Sequence, residues 1–287
     1  RAYKRRGTLP TAVLMKTKAF FTFFFIFWTT VFSMVVTDQA CAGPPDERCT
    51  VITSDELLAD MARALLPDAR YRVEAIFPPG QCPGHYDIKF SDIEKIQKAG
   101  LVIYSRSMTF MGKPGARRLL IDSEGRNWMA PDSYLLGVER LAQGLAGHFP
   151  EHGQEIEHRR QAVTRLVREE AQKLKERMQK AGIEGLPVLA SSMQKELLTW
   201  MGFRVAGVYG RPEALSARDA ARLVKTGKAE RVVAVVDNLQ SGPEAGIRIA
   251  EALGRPHIVL TNYPSEEGYP AALRNNVEAV LNALGCK

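Results

Sequence analysis

The sequence predicts an α/β protein of two lobes, each a mostly parallel sheet flanked by helices, joined by one long linking helix. Three observations carry this. First, residues 154–181 run without Gly or Pro, which at 1.5 Å rise per residue makes a helix of roughly 40 Å, longer than one small lobe is wide. Second, Ile156, Val163, Leu166, Val167, Ala171, Leu174 and Met178 recur along it at spacings of three, four and seven, so one stripe is buried. Third, both flanking regions alternate short apolar runs with helical patterns, the βαβα order of a parallel sheet covered on both faces. Such a strut resists wide hinge bending, and a cleft between two lobes is where a small ligand usually binds.

The first residues stand apart from this pattern. Lys16 and Lys18 precede an apolar run over residues 19–36, followed by Ala40, Cys41 and Ala42. This is the form of a secretory signal peptide cleaved before Gly43, with a retained membrane anchor as the alternative. The protein is therefore expected to be periplasmic or otherwise extracytoplasmic. Without residues 1–42, 33 basic residues face 31 acidic ones, so the net charge of +7 falls to +2. A nucleic-acid partner needs a clustered basic face and is not expected. Export also places Cys49, Cys82 and Cys286 in an oxidising compartment, where an odd count leaves at least one thiol unpaired within the chain.

The first lobe, residues 50–150, should open with a strand over 50–53 and a helix capped by Ser54 that runs to Leu65, with Glu56 in its first turn. A strand over 71–77 stops at Pro78-Pro79-Gly80. Ser91 and Asp92 cap a helix to Ala99, which feeds a strand over 101–105. Extended segments follow at 118–122 and 127–130, and Pro131-Asp132 starts a helix to about His148. Residues 151–182 form the linking helix, closed by Gly182. In the second lobe, residues 187–285, strands are expected at 188–191, 203–209, 231–236 and 257–261. Helices alternate with them at 193–201, 217–225, 243–253 and 269–284.

In open parallel sheets the ligand site lies at the carboxyl ends of the strands. Residues with chemistry gather there. Cys82 and His85 follow the second strand, Met108 and Met111 the third, and Asn127 and Met129 lie at the fourth. Ser191, Ser192 and Met193 follow the fifth, and Asp237, Asn238, Gln240, Asn262 and Tyr263 belong to the last two. Cys-x-x-His in a Pro/Gly-rich turn can direct a thiolate and an imidazole at one ion. A loop histidine bonded to backbone and a disulfide cysteine are the plainer readings. Cys49 is a poor disulfide partner for Cys82, because parallel strands would hold the two about 15 Å apart, whereas a disulfide needs about 7 Å. With Met129 and Met193, and with Met108 and Met111 near by, the pair suits a soft transition-metal ion such as Cu(I) better than a hard one. No nucleophile elbow, phosphate loop or dinucleotide fingerprint is present. A secreted thiol enzyme using Cys82 with His85 remains the catalytic alternative.

Several stretches resemble one family. Val51 to Ser54, Phe77-Pro78-Pro79-Gly80 leading to Tyr86-Asp87 and Ser91-Asp92-Ile93, and Ala99-Gly100-Leu101-Val102-Ile103-Tyr104 are similar to the metal-specific solute-binding proteins of zinc and manganese ABC transporters. So are Trp128-Met129-Ala130-Pro131, the single strut helix, and Glu267-Gly268-Tyr269 with Asn276-Val277. The resemblance covers nearly all of the chain after the leader. It departs where that family keeps its ligands: the first metal histidine falls on Gly84, beside Cys82 and His85, the second on Arg126, the third on Ser191 and the aspartate on Asn262.

The resemblance implies a monomeric binding protein that captures a metal ion or small metal complex in the interlobe cleft, delivers it to an ABC transporter membrane permease, and makes no covalent bond. It implies zinc, whereas the residue types point to a softer ion such as copper. The alternative within binding proteins is a polar organic or chelate ligand held by Asn127, Asn238, Gln240 and Asn262.

Overall fold

In the described residues of this computed structural model, 48–77, 86–106, 108, 111, 117–264 and 267–286, eight strands form two four-stranded sheets with every pairing parallel. The expected leader, Cys82 and His85 lie outside these residues. The first sheet contains β1 (Cys49–Thr53), β2 (Tyr71–Ala75), β3 (Leu101–Tyr104) and β4 (Arg118–Leu120) in the order β2-β1-β3-β4. The second contains β5 (Pro187–Ser191), β6 (Arg204–Tyr209), β7 (Ala234–Asn238) and β8 (His257–Leu260) in the matching order β6-β5-β7-β8. Central strands are buried on both faces, as parallel sheets require: Val51 and Ile52 of β1, and Leu189 and Ala190 of β5, have no exposed surface.

Helices cover the sheets: α1 (Glu56–Leu65), α2 (Phe90–Lys98) and α3 (Pro131–His148) in the first lobe, then the strut α4 (Gly153–Lys180). The second lobe has α5 (Lys195–Trp200), α6 (Ala217–Glu230), α7 (Ile247–Leu253) and α8 (Tyr269–Ala283). Among the described residues no helix is long and apolar enough to cross a membrane.

Three local expectations change. Asp55, not Ser54, caps α1: its Oδ1 accepts the Leu58 N–H at 3.0 Å, while the Ser54 hydroxyl donates to Oδ2 at 2.7 Å. A carboxylate at a helix N-terminus also meets the positive end of the helix dipole. Helix α2 begins one residue early, at Phe90, because Asp92 reaches back to accept the Lys89 N–H at 2.9 Å. Residues 127–130 form a turn instead of a strand, with Ala130 N–H donating to Asn127 O at 3.0 Å and Met129 N–H to Asn127 Oδ1 at 2.8 Å. A short amide side chain that bonds its own backbone two residues on competes with a sheet ladder, and here it wins.

The strut binds the lobes into one core. Ile156, Val167, Leu174 and Met178 are buried and belong to a single apolar cluster that reaches from Val51 and Leu101 in the first lobe to Val188, Ala234 and Leu281 in the second. Leu166, expected in the buried stripe, is 62% exposed. Burying each of the four seam residues contributes about 1.5–3 kcal/mol. The solvent-exposed pairs Arg177–Glu278 and Arg274–Glu170, which tie the strut to α8, are worth about 0–1 kcal/mol each. The apolar seam therefore decides the arrangement.

A second contact closes the lobes near the first turn of α8. Tyr269 stacks on Tyr134 of α3 with ring centroids 3.6 Å apart, and donates its hydroxyl to Met129 O at 3.0 Å. Tyr134 donates to Asp60 Oδ2 on α1 at 2.9 Å. Gly268 has φ +83°, and a Cβ there would lie 3.1 Å from Asp60 Oδ1, so both backbone and space call for glycine. Burial pushes the Asp60 carboxyl above its ordinary value, against the hydrogen bonds from Tyr134 and the Tyr269 backbone, which lower it. Burial raises both tyrosines well above their ordinary range.

Two outcomes follow from this packing. Leu174→Ala should cost about 2–5 kcal/mol, whereas Leu166→Ala should stay within about 0.5 kcal/mol. Denaturant unfolding followed by fluorescence and circular dichroism should show one transition, and separate transitions for the two lobes would contradict a shared core. For Asp60 the folded chain holds the proton more tightly than the unfolded one, so its contribution to stability falls as pH rises above 3.8 and through the raised value. The stability of wild type relative to Asp60→Asn should therefore increase as pH is lowered from neutrality and level off below 3.8. A pH-independent difference would show that the carboxyl is not held this way.

Candidate ligand cleft between the lobes

The carboxyl ends of both sheets face a cleft of about 810 Å³. Ser105 follows β3 and Ser123 follows β4; Ser192 and Met193 follow β5, and Asn262 and Tyr263 follow β8. Met108, Trp128 and Trp200 supply apolar wall, and Lys175 of the strut lines it as well. The residues after the strands are loops and first helical turns, so their side chains are free of the ladder and can point into the gap.

Hydrogen bonds cross the floor of the cleft. From the first lobe, the Asn127 side-chain amide donates to Met193 O at 2.7 Å and to Asn262 Oδ1 at 3.1 Å in the second. Glu196 on α5 accepts from the Asn127 N–H at 2.6 Å through Oε2 and from the Ser133 hydroxyl through Oε1. Gln194, fully buried in a 3₁₀ turn over Ser192–Gln194, donates from Nε2 to Asn238 Oδ1 at 2.8 Å, Asn262 Oδ1 at 2.9 Å and Leu260 O at 3.2 Å. Asn276 of α8 fixes the loop after β8 by accepting the Thr261 N–H and donating to Thr261 O, each at 3.0 Å. Gln240 reinforces the same loop, accepting the Asn262 N–H at 3.0 Å and donating to the Thr261 hydroxyl at 2.8 Å.

Of the residues read from sequence, Met108, Asn127, Ser192, Met193, Asn262 and Tyr263 line the cleft. Met193 is 44% exposed, with its thioether available, and Met108 is almost covered. Met111 and Met129 are fully buried in the apolar core and do not line it. Ser191 is buried at the end of β5, and Asn238 and Gln240 are buried and bonded within the second lobe. Asp237 is on the opposite face of β7, where it accepts the Gly246 N–H at 2.8 Å and meets His257 Nε2 at 2.7 Å. A Cβ on Gly246 would fall 2.3 Å from the Tyr209 hydroxyl, so that pocket is filled. Cys49 is disulfide-bonded to a partner outside the described residues, and Cys286 is a free thiol, so the two are not joined to each other.

The sequence alone does not single out Gln194 and Glu196, which organise the floor. Their only signal is their place just after β5. The cleft also carries Asp55, Asp132 and Glu196 against Arg126, Lys175 and Lys195. Burial raises Asp55, which is occupied as the cap of α1, and Glu196 already accepts two hydrogen bonds. Among the described residues no three His, Cys, Asp or Glu side chains form a group that could hold a metal ion.

The fold has close counterparts. A mutant of a periplasmic metal-binding protein from Candidatus Liberibacter asiaticus, in its Mn-bound form, superposes with TM-score 0.71 at 16% identity, covering 83% of this chain and 100% of that one. The laminin-binding adhesin Lmb of Streptococcus agalactiae, also a mutant, gives 0.70 at 15% identity, covering 82% and 99%. Zn(II)-bound AdcA of Streptococcus pneumoniae gives 0.64 at 15% identity, covering 83% and 58%. Among curated protein sequences none matches. The model of the family described as zinc-uptake complex component A, periplasmic, matches residues 126–283, more than half of the sequence and the whole of the strut and second lobe, and the chain belongs to that family.

Proposed function

We propose that the protein is an extracytoplasmic solute-binding protein that captures a transition-metal ion, alone or in a small complex, in the interlobe cleft and delivers it to the permease of an ABC transporter. Membership of the zinc-uptake family carries this reading, because it brings the role to a chain whose two sheets aim their carboxyl ends into one cleft. In this reading residues 1–42 are the export signal. The role is capture and release without turnover, as for other solute-binding components.

His85 is the donor we assign to the ion, with Met193, half-exposed at the cleft wall, as the further donor. Once residues 1–42 are removed, Cys82 is the one cysteine left to pair with Cys49, so in this reading it is a disulfide partner and not a thiolate ligand. The competing idea of an organic ligand held by amides alone loses support, since Asn127, Gln194, Asn238 and Asn262 already bond one another. An imidazole must lose its proton to bind, so affinity should fall as pH drops.

Protein purified from its own periplasm should carry about one transition-metal ion per chain by elemental analysis and native mass spectrometry. Iodoacetamide should alkylate Cys286 alone in the mature chain before reduction, and Cys49 and Cys82 as well after it. His85→Ala should weaken binding by about a hundredfold or more, a small part of the roughly 10–16 kcal/mol that structural metal sites supply. Stoichiometric retention of a metal-free organic molecule would refute the metal reading. Unchanged binding in His85→Ala would move the ion away from that residue.

A further inference from the structure

Resting on the reading of a metal cargo, the described walls of the cleft indicate what surrounds the metal. A volume of about 810 Å³ is that of a small-molecule pocket, far beyond the roughly 30 Å³ share of one water. The walls also have an unusual balance of committed and free charge. Two of the three lining carboxylates, Asp55 and Glu196, are occupied by protein donors, which leaves Asp132 as the one without a side-chain partner among the described residues. Arg126, Lys175 and Lys195 all lack an ion pair there. Asn262, the polar side chain on the opposite wall, has its Oδ1 filled by two N–H donors and offers nothing to a bare cation.

Arg126 stands out among these. Its backbone is pinned in the turn before Trp128, with its N–H donating to Ser123 O at 3.0 Å, while its exposed guanidinium makes no hydrogen bond or ion pair among the described residues. A guanidinium is permanently charged, repels a bare divalent cation, and presents a planar fork that pairs with carboxylates two bonds at a time. Trp128, two residues on and 7% exposed, also lines the cleft and gives it an apolar surface that lowers the local dielectric.

We infer that the cargo is a metal ion held in an anionic, carboxylate-bearing chelate, with Arg126 pairing with the carboxylates of the organic shell and Lys195 and Lys175 adding charge at the rim. The protein reads the complex rather than the ion.

The test is titration calorimetry of wild type, Arg126→Ala and Arg126→Lys with ZnCl₂, with the citrate, nitrilotriacetate and EDTA complexes of Zn(II), and with each chelator alone. At least one complex should bind about ten or more times tighter than ZnCl₂ and lose affinity as salt rises. Arg126→Ala should weaken that complex about tenfold or more, leave ZnCl₂ binding unchanged or tighter, and be only partly rescued by lysine. The turn is exposed, and an unchanged melting temperature will confirm that the variant folds. If ZnCl₂ binds wild type more tightly than every complex, or Arg126→Ala leaves the complexes unaffected, the inference falls and the metal-binding role stands. If a chelator alone binds as tightly as its complex, or zinc binds in no form, the metal cargo itself is refuted and the inference with it.

Discussion

Everything else in the molecule depends on the apolar seam along α4. Ile156, Val167, Leu174 and Met178 join two parallel-sheet lobes into one continuous core, so the cleft is a gap in a single packed body instead of a space between two hinged ones. Packed interiors resist continuous deformation. Tyr269 stacked on Tyr134 adds a fixed distance at the first turn of α8, and the loops at the strand ends are held apart by the scaffold beneath them. Recognition in such a cleft must come from the side chains that reach across it and from small adjustments of loops, because the lobes have little freedom to close around a cargo.

That constraint gives meaning to the cleft floor. Asn127, Glu196, Gln194 and Asn262 join the lobes through hydrogen bonds of 2.6–3.1 Å. An amide at 262 can accept two N–H donors and remain neutral. A carboxylate there would bring a charge into a partly buried site, and that charge would call for a cation to balance it. Replacing charge with an amide lets the floor close on itself, and the free charge moves to the walls, where Arg126, Lys175 and Lys195 stand. The neutral floor and the cationic walls thus follow from where the amides and the unpaired cations stand.

The fold is legible in the sequence because it is written in long-range periodicity: a helical stretch without Gly or Pro over 154–181, short strands rich in apolar residues, and Gly or Pro at most junctions. The site is legible only in part, for a geometric reason. Residues at strand ends can be located along the chain, but the face they point to depends on parity within the strand. Val235 and Asp237 share one face of β7 with Leu189 and Tyr209, whereas Val236 and Asn238 share the other. Counting from a strand start placed at 231 instead of 234 gives no hold on that parity, so the sequence alone offers Asp237 as a cleft anion when it is bonded to Gly246 and His257 behind the sheet. The methionines divide the same way. Met193 follows a strand and faces the gap, while Met129, two residues into the Asn127 turn, points into the core and uses only its backbone N–H and carbonyl at the interface. Gln194 and Glu196 carry no signal beyond their position, since a glutamine and a glutamate at the start of a helix are ordinary.

The stretches that resemble the metal-binding family and the positions that depart from it do different physical work. Asp92 ties Tyr86 and Lys89 at the start of α2, Pro131 opens α3, Gly268 lets Tyr269 sit against Asp60, and Asn276 satisfies both polar groups of Thr261. Each answers a demand of the buried backbone or of helix initiation, and loss of any one would leave a polar group or a turn unsupported whatever the cleft contains. The side chain at 126 answers to no such demand in the frame. Arg126 projects from a turn whose shape is set by Asn127 and Ser123, so the residue at that position can change its chemistry without disturbing a single backbone bond. A frame fixed by its buried polar groups, with a site on turns that the frame alone positions, can keep one architecture while the side chains on those turns change.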